Sequence, residues 1–204
     1  MPISKDQKHK KYIYLFTDPN THVFHTDMRS LEDLRKSSGG ETVQPPGDLK
    51  DLFPNGIPTT REGINQYIVT VDVPITRKDG TKTTAKVTVH KGIVDNLRKV
   101  LQEAQDAGFK VYEIQGFSWR KVSGTSKMSQ HSLGLAVDIN VKENYCVYPS
   151  SGKVDAGSFW KPGQNEYSIP TDGVLVKAFK SIGWGWGGDW KSKKDYMHFS
   201  FTGK

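Results

Sequence analysis

Hydrophobic residues alternate with other residues in two neighbouring runs, at positions 67–75 and 85–89. A period of two places every second side chain on the same face of a strand. Asp79 and Gly80, which are typical turn formers, lie between the two runs. The pattern predicts a β-hairpin with one buried face.

A helical period follows the hairpin. The apolar residues of this stretch recur at spacings of three and four and form one stripe, made up of Ile93, Leu97, Val100, Leu101, Ala104 and Ala107. Gly108 comes directly after the stripe, where a left-handed residue commonly ends a helix. We expect a helix over residues 93–107 that packs against the sheet, and then a short strand over residues 110–115.

The second half of the chain contains fewer regular elements. Leu135, Val137 and Ile139 alternate with polar or small residues and predict a strand with these three side chains in the core. Apolar spacing over residues 174–182 predicts a second helix, capped by Asp172 and ended by Gly183. With a last strand over residues 196–201, and without a βαβ repeat, the pattern predicts an α+β fold: an antiparallel sheet with helices packed on one side.

Residues 1–64 have little periodicity and are predicted to form an N-terminal extension. The clearest linker in the chain, SSGGETVQPPG at residues 37–47, belongs to it and is rich in turn formers. Residues 65–204 are predicted to form one domain that carries the candidate chemistry. We therefore expect a chain that begins near Glu62 to fold by itself.

Composition narrows the possible partners and locations. The chain of 204 residues has a net charge of +7, but its basic residues are scattered and no nucleic-acid-binding motif occurs, so no specific nucleic-acid partner is expected. No stretch has the roughly 20 apolar residues of a transmembrane helix, and residues 12–16 are too short for the core of a signal peptide. The single cysteine, Cys146, excludes an internal disulfide and has no basic neighbour that would activate it.

Three residues have side chains suited to a catalytic metal. His131 and Asp138 flank a glycine in SQHSLGLAVDIN, and His198 lies downstream in DYMHFSF. Catalytic zinc sites commonly use three protein ligands, histidine and carboxylate among them, and leave a position for water. A single histidine beside a strand is more often only hydrogen-bonded, so the hypothesis depends on all three together. A weaker pair, His22 and His25, has no third ligand nearby.

These residues also carry a family resemblance. The sequence resembles the VanY-type D-alanyl-D-alanine carboxypeptidases and L-alanyl-D-glutamate peptidases over roughly residues 90–201. The SxHxxGxAxD motif of these zinc peptidases is matched by Ser129, His131, Gly134, Ala136 and Asp138, and their second motif by Asp195 and His198. Ser118 departs from the more frequent asparagine before Trp-Arg, and INVKENYCVYP replaces a more proline-rich run, which affects the expected substrate preference.

The resemblance implies a Hedgehog/DD-peptidase-like fold and a zinc ion (Zn²⁺) bound by His131, Asp138 and His198. It further implies that Asp195 is the general base and that Arg120 holds the substrate or the developing oxyanion. Ser129, Trp186 and Trp190 are candidate substrate-binding residues, although the two tryptophans could equally be buried in the core. On a regular strand Asp195 and His198 would face opposite ways, so Asp195 is expected in the turn before the last strand.

The implied substrate is a bacterial peptidoglycan peptide, and two reactions stay open: endopeptidase cleavage at L-alanyl-D-glutamate, or carboxypeptidase removal of D-alanine. The expected setting is a phage or prophage lysin that another, pore-forming protein releases. Two alternatives stay open: a virion structural component that carries the peptidase domain, and a catalytically inactive module of the same fold that only binds the wall. A monomer is favoured, made without a recognisable signal peptide and acting on the bacterial cell wall after release.

Overall fold

The computed structural model describes residues 14–17, 24–27 and 47–204. The chain divides into two compact units, Met1–Thr42 and Val43–Lys204. In the first unit, strands β1 (Tyr14–Thr17) and β2 (Phe24–Asp27) pair antiparallel. The predicted linker up to residue 46, the lysines of the first 11 residues and the side chains of His22 and His25 lie outside the described residues.

Two short helices open the described part of the second unit. Helix α1 (Leu49–Leu52) begins with a capping box between Asp48 and Asp51, and α2 (Arg61–Asn65) begins at Thr60. Their apolar residues Leu52, Phe53 and Ile64 are buried in the main core. The unit therefore reaches upstream of the boundary predicted at residues 64 and 65. Helices of four and five residues are too short to show the periodicity on which that boundary depended.

The predicted hairpin is present as β3 (Ile68–Thr76) and β4 (Lys82–His90), in continuous antiparallel register. Its buried face is shorter than expected. Val73 and Ile75 of β3 and Val87 and Val89 of β4 are buried, whereas Val69 is 37% exposed. The apolar alternation extends beyond the part of the hairpin that the core covers.

Helix α3 (Val94–Asp106) follows the predicted stripe, and Gly108 has the expected left-handed conformation, with φ of +91°. Leu97, Val100, Leu101 and Ala104 are at most 1% exposed. Helix α4 (Val174–Ser181) packs against α3. It begins after Gly173, so the predicted cap at Asp172 is wrong by one residue.

A four-stranded antiparallel sheet carries the candidate site, in the order β5-β6-β11-β9. Its strands are β5 (Ile114–Gln115), β6 (Ala136–Ile139), β9 (Gly185–Trp186) and β11 (His198–Ser200). Leu135, Val137 and Ile139 are fully buried, as predicted. Phe179 of α4 stacks on Phe199 of β11 at 4.2 Å between ring centroids, so this helix supports the sheet from behind.

A second sheet of three strands, in the order β10-β7-β8, flanks the site. It consists of β7 (Asn144–Val147), β8 (Val154–Trp160) and β10 (Lys194–Asp195), and the hydrophobic pattern had predicted none of these strands. The fold is α+β with antiparallel sheets, as predicted from the sequence. None of the helices in the described ranges is long and apolar enough to cross a membrane.

Candidate metal centre and active site

The structure brings together the three predicted metal ligands. Asp138 and His198 are directly opposite each other on the paired strands β6 and β11. His131 belongs to a 3-10 helix, Gln130–Leu133, which leads into β6. Opposed residues of an antiparallel pair point to the same face of the sheet. Side chains that are distant in the sequence therefore meet at one place.

Three short distances define the cluster. His131 Nε2 lies 3.2 Å from Asp138 Oδ2 and 3.2 Å from His198 Nδ1. His198 Nδ1 lies 3.1 Å from Asp138 Oδ1. His131 is 2% exposed, Asp138 8% and His198 5%, so all three donors are shielded from bulk water.

The imidazole of His131 is oriented by its other nitrogen. His131 Nδ1 lies 2.7 Å from the carbonyl oxygen of Gly116, to which it donates a hydrogen bond. This contact leaves the lone pair of Nε2 free for a metal, which is the usual arrangement of a metal-binding histidine. Ser129 caps the 3-10 helix, because its Oγ accepts a hydrogen bond from the amide of His131 at 3.3 Å.

Gly134 makes the turn between His131 and β6. Its φ is +67°, in the left-handed region that favours glycine. A Cβ atom at this position would lie 2.6 Å from the amide nitrogen of His90. The glycine of the SQHSLG segment is therefore required both by conformation and by a close approach to the hairpin.

The donor set fits a small divalent metal such as zinc. Nitrogen and oxygen ligands bound at about 2.0–2.1 Å in a tetrahedral site are about 3.3 Å from one another, and the three distances in the cluster are close to this value. Without a cation, the lone pair of His131 Nε2 would face the carboxylate of Asp138 directly. A positive charge between them, either a proton or a metal ion, removes this repulsion.

Interactions between Asp138 and the two histidines outweigh burial in setting the protonation of Asp138 and His131. Burial by itself would raise the pKa of Asp138, but the hydrogen bonds and charges of His131 and His198 outweigh it and hold that pKa well below its usual range. Burial likewise lowers the pKa of His131, and the hydrogen bond and charge of Asp138 reverse this and raise it. Asp138 is therefore ionised at neutral pH and provides an anionic ligand.

Asp195 lies beside the cluster and lines the same cavity as His131 and His198. It is not in a turn, as the sequence had suggested, but on the two-residue strand β10, opposite Cys146 of β7. Tyr196 and Met197 form the turn between Asp195 and His198 and break the strand alternation. For this reason Asp195 and His198 can face the same cavity, although they are three positions apart in the sequence.

Burial raises the pKa of Asp195 above its ordinary value, and the negative charge of Asp138 raises it further. Within the described part of the chain, Asp195 Oδ1 is buried and has no hydrogen-bond partner. A carboxylate with a raised pKa and a free oxygen at the edge of a metal cluster is suited to accepting a proton.

The cavity has a volume of about 430 Å³. Besides the residues above it is lined by three cationic residues: Arg120, Lys193 and Lys204. The ammonium group of Lys193 is paired with Asp155 at 3.3 Å. The amide of Arg120 donates a hydrogen bond to Ser132 Oγ at 3.0 Å, which fixes its backbone next to the His131 helix. The sequence pattern had not indicated Lys193 and Lys204, because neither belongs to a recognisable motif.

The three remaining candidates fall in different places. Ser129 and Trp190 line the cavity, and the Trp190 ring lies 5.2 Å from the ring of His198. Trp186 does not line this cavity. It is 1% exposed, and its Nε1 donates a hydrogen bond to the carbonyl oxygen of Tyr196 at 2.9 Å. Trp186 is therefore a core residue, which is the alternative that the sequence had left open for it.

Cys146 is close to Asp195 in the sheet but is not suited to nucleophilic catalysis. It is 2% exposed, and burial, together with the charge of Asp195, raises the pKa of its thiol to about 12. A thiol with so high a pKa stays protonated at neutral pH. The candidate chemistry therefore belongs to the metal cluster and Asp195.

A family model described as D-alanyl-D-alanine carboxypeptidase matches residues 123–201. The matched stretch contains the whole cluster and Asp195, but it begins after Arg120. Over these residues the chain is similar to a family of metallopeptidases, and this similarity supports a peptidase active site at the cluster of His131, Asp138 and His198.

Proposed function

We propose that the protein is a zinc-dependent peptidase that hydrolyses the stem peptides of bacterial peptidoglycan. The reaction is either carboxypeptidase removal of a terminal D-alanine or endopeptidase cleavage at L-alanyl-D-glutamate. The same proposal sets the place of action at the bacterial cell wall, where this peptide occurs. A match to the family described as D-alanyl-D-alanine carboxypeptidase supports the substrate class.

One observation carries the proposal. Two histidines and one aspartate converge to within 3.1–3.2 Å at a cavity that is also lined by Asp195, whose buried Oδ1 has no hydrogen-bond partner in the described part of the chain. A purely structural cluster would not require a second acidic group with a raised pKa at the same place. Metal ligands, a proton acceptor and space for a peptide are together the parts of a hydrolytic site.

The residues of the chain then have distinct roles. The zinc ion would be held by His131, Asp138 and His198. When bound, it would polarise the peptide carbonyl group and lower the pKa of water, so that water loses a proton and becomes a nucleophile near neutral pH. Asp195 takes the proton of the attacking water on its carboxylate and delivers it to the nitrogen of the leaving amine. The low solvent access of Asp195 strengthens its interaction with the reacting groups.

Arg120 binds a negative charge of the substrate. A guanidinium group can hold a carboxylate through two parallel hydrogen bonds and remains charged at every working pH. Stem peptides carry several carboxylates, and Arg120 lines the cavity as a cation that can pair with one of them. In the transition state, the same arginine can stabilise the developing oxyanion.

The test is digestion of purified peptidoglycan by the zinc-loaded protein, with mass spectrometry of the new termini. Release of D-alanine identifies a carboxypeptidase, and new L-alanine carboxyl and D-glutamate amino termini identify the endopeptidase. Asp195→Asn is the matched variant. It keeps the size of the side chain and the zinc but should react roughly a hundredfold more slowly. A zinc-loaded protein that opens no peptide bond, or an Asp195→Asn variant with the full rate, would contradict the proposal.

A further inference from the structure

Residues 185–190, GWGGDW, contain three glycines and two tryptophans, and we call them the glycine–tryptophan segment. It contains β9 and a 3-10 helix, Gly187–Asp189. The segment contacts three consecutive residues of the chain, Lys194, Asp195 and Tyr196. The middle one of these is the proposed general base.

Two hydrogen bonds hold the residues on either side of Asp195. Lys194 Nζ donates to the carbonyl oxygen of Gly188 at 2.9 Å. On the other side, the indole Nε1 of Trp186 donates to the carbonyl oxygen of Tyr196 at 2.9 Å. Asp195 therefore lies between two fixed points, and both belong to the same short segment.

Gly187 contacts Asp195 itself. A Cβ atom at position 187 would overlap the carbonyl oxygen of Asp195 and would lie 2.9 Å from its Cβ. Gly187 is not among the glycines with positive φ, so backbone conformation does not require a glycine here. What requires it is the close approach of the 3-10 helix to the backbone and Cβ of Asp195.

The segment is also tied to a strand of the metal cluster. Trp186 is opposite Phe199 in the pairing of β9 with β11, the strand that begins with His198. The ring of Trp186 is fully buried and packs over Gly188, where a Cβ atom would overlap the ring. Gly187 and Gly188 therefore leave room for the indole of Trp186, which connects strand β11, where His198 lies, with the backbone next to Asp195.

We propose that Gly187 and Trp186 are positioning residues that set Asp195 relative to the metal cluster. The inference rests on the proposed function, because the two residues act only through Asp195, the proposed general base. They are assigned no contact with the substrate. A misplacement of a catalytic group by about 1 Å can reduce the rate by a factor of roughly a hundred. Because a new methyl group at position 187 must move either the 3-10 helix or Asp195, the rate should respond strongly.

The experiment compares Gly187→Ala and Trp186→Phe with the wild-type full-length protein, all loaded with zinc. Gly187→Ala should lower kcat by on the order of tenfold or more, with KM and zinc content unchanged. Trp186→Phe, which keeps an aromatic ring but loses the indole donor, should lower kcat by a smaller factor. Gly173→Ala is the control. Gly173 also has no positive φ, and a Cβ atom added there would lie 2.9 Å from Pro170 Cδ, but its closest neighbours are atoms of Pro170 and not of Asp195.

A double-mutant cycle with Asp195→Asn separates positioning from a general loss of structure. If Gly187 acts through Asp195, adding Gly187→Ala to Asp195→Asn should cause no further loss of kcat. The same factor in both backgrounds, or wild-type kcat in both Gly187→Ala and Trp186→Phe, would overturn the inference. An Asp195→Asn protein with the full rate would instead refute the proposed function, so the two failures are distinguishable. If Gly187→Ala does not fold, Trp186→Phe provides the same cycle.

Discussion

Asp138 and His198 face each other across the β6–β11 pair, with Oδ1 and Nδ1 only 3.1 Å apart, although 60 residues separate them in the sequence. The strand register alone produces this contact. A shift of one residue would turn one of the two side chains to the opposite face of the sheet. The buried apolar residues Val137 and Phe199, which are also opposed in this pairing, therefore fix the geometry of the cluster.

The first prediction concerns zinc. Changing His131, Asp138 or His198 to alanine should remove one of three ligands and abolish stoichiometric zinc binding. Because a metal that binds only the folded state stabilises it, zinc should raise the unfolding temperature of the wild-type protein and not of these variants. Metal analysis and thermal unfolding with and without a chelator measure both effects.

Glu166→Ala is a suitable control for this experiment, since Glu166 is an acidic residue paired with Lys110 and does not belong to the cluster. It should bind zinc as the wild-type protein does. Full zinc occupancy in His198→Ala would show that the ligand assignment is wrong.

The second prediction concerns Arg120. Arg120→Lys keeps the charge but loses the planar pair of donors, so kcat/KM for a peptide with a free carboxylate should fall by about tenfold or more. With the same peptide amidated at its carboxyl terminus, the loss in the variant should be clearly smaller, because only the contact with the carboxylate is then missing from both reactions. Steady-state kinetics on both peptides measure the difference.

Arg98→Lys provides the matched control, because Arg98 donates to the carbonyl oxygen of Asp72 and neither residue lines the cavity. Its kinetics should equal those of the wild-type protein. An equal loss on the free and amidated peptides in Arg120→Lys would show that the arginine does not bind the carboxylate.

The sequence could predict the elements that are long enough to show a hydrophobic repeat. Helix α3 and the β3–β4 hairpin have enough residues for a hydrophobic repeat to be visible, and both are present. The short helices α1 and α2 and the strand β8 have no such repeat, since their positions depend on contacts with distant residues. Tertiary contacts, not local propensity, determine these elements.

The candidate site shows the same division. Motif spacing was sufficient to select His131, Asp138 and His198, which do converge. It did not reveal that the carbonyl oxygen of Gly116 orients His131, because any residue can provide a carbonyl group. It also could not decide between a cavity role and a core role for Trp186, which depends on the packing of Gly188 beneath the indole ring. The unusual glycine density next to Trp186 was the available signal.

The third prediction concerns stability in acid. His90 is 2% exposed, its Nδ1 accepts a hydrogen bond from the amide of Gly92 at 3.0 Å, and its Nε2 lies 3.2 Å from the carbonyl oxygen of Leu52. Burial lowers the pKa of His90 below its ordinary value, and the charge of Lys91 contributes. The unfolded chain therefore binds a proton first as the pH falls through about 6.5, and the stability that depends on neutral His90 is lost as the pH falls further.

His90→Gln tests this prediction, because glutamine can accept from Gly92 and donate to Leu52 but does not titrate. With both proteins measured in excess chelator, the unfolding free energy of the wild-type protein should fall more between pH 7.5 and pH 5.5 than that of the variant. Parallel pH curves for the two proteins would show that His90 is not the group responsible.

The last prediction concerns where the folded domain begins. The structure buries Leu52 and Phe53 in the main core, with the ring of Phe53 packed 5.0 Å from that of Tyr67 and 4.9 Å from that of His90. A chain that begins at Gly47 keeps these contacts and should have the unfolding temperature, zinc content and soluble-peptide activity of the full chain. A chain that begins at Glu62 loses them, and removal of a buried phenylalanine alone costs about 3–5 kcal/mol.

Thermal unfolding of the two shortened chains and of full-length Phe53→Ala decides where the boundary lies. We expect the chain from Glu62 to be destabilised at least as much as Phe53→Ala, since it also lacks Leu52 and the carbonyl group that faces His90 Nε2. If the chain from Glu62 were as stable as the chain from Gly47, residues 47–61 would be dispensable and the boundary predicted at residues 64 and 65 would hold. If the chain from Gly47 were itself unstable, residues 1–46 would be part of the catalytic domain.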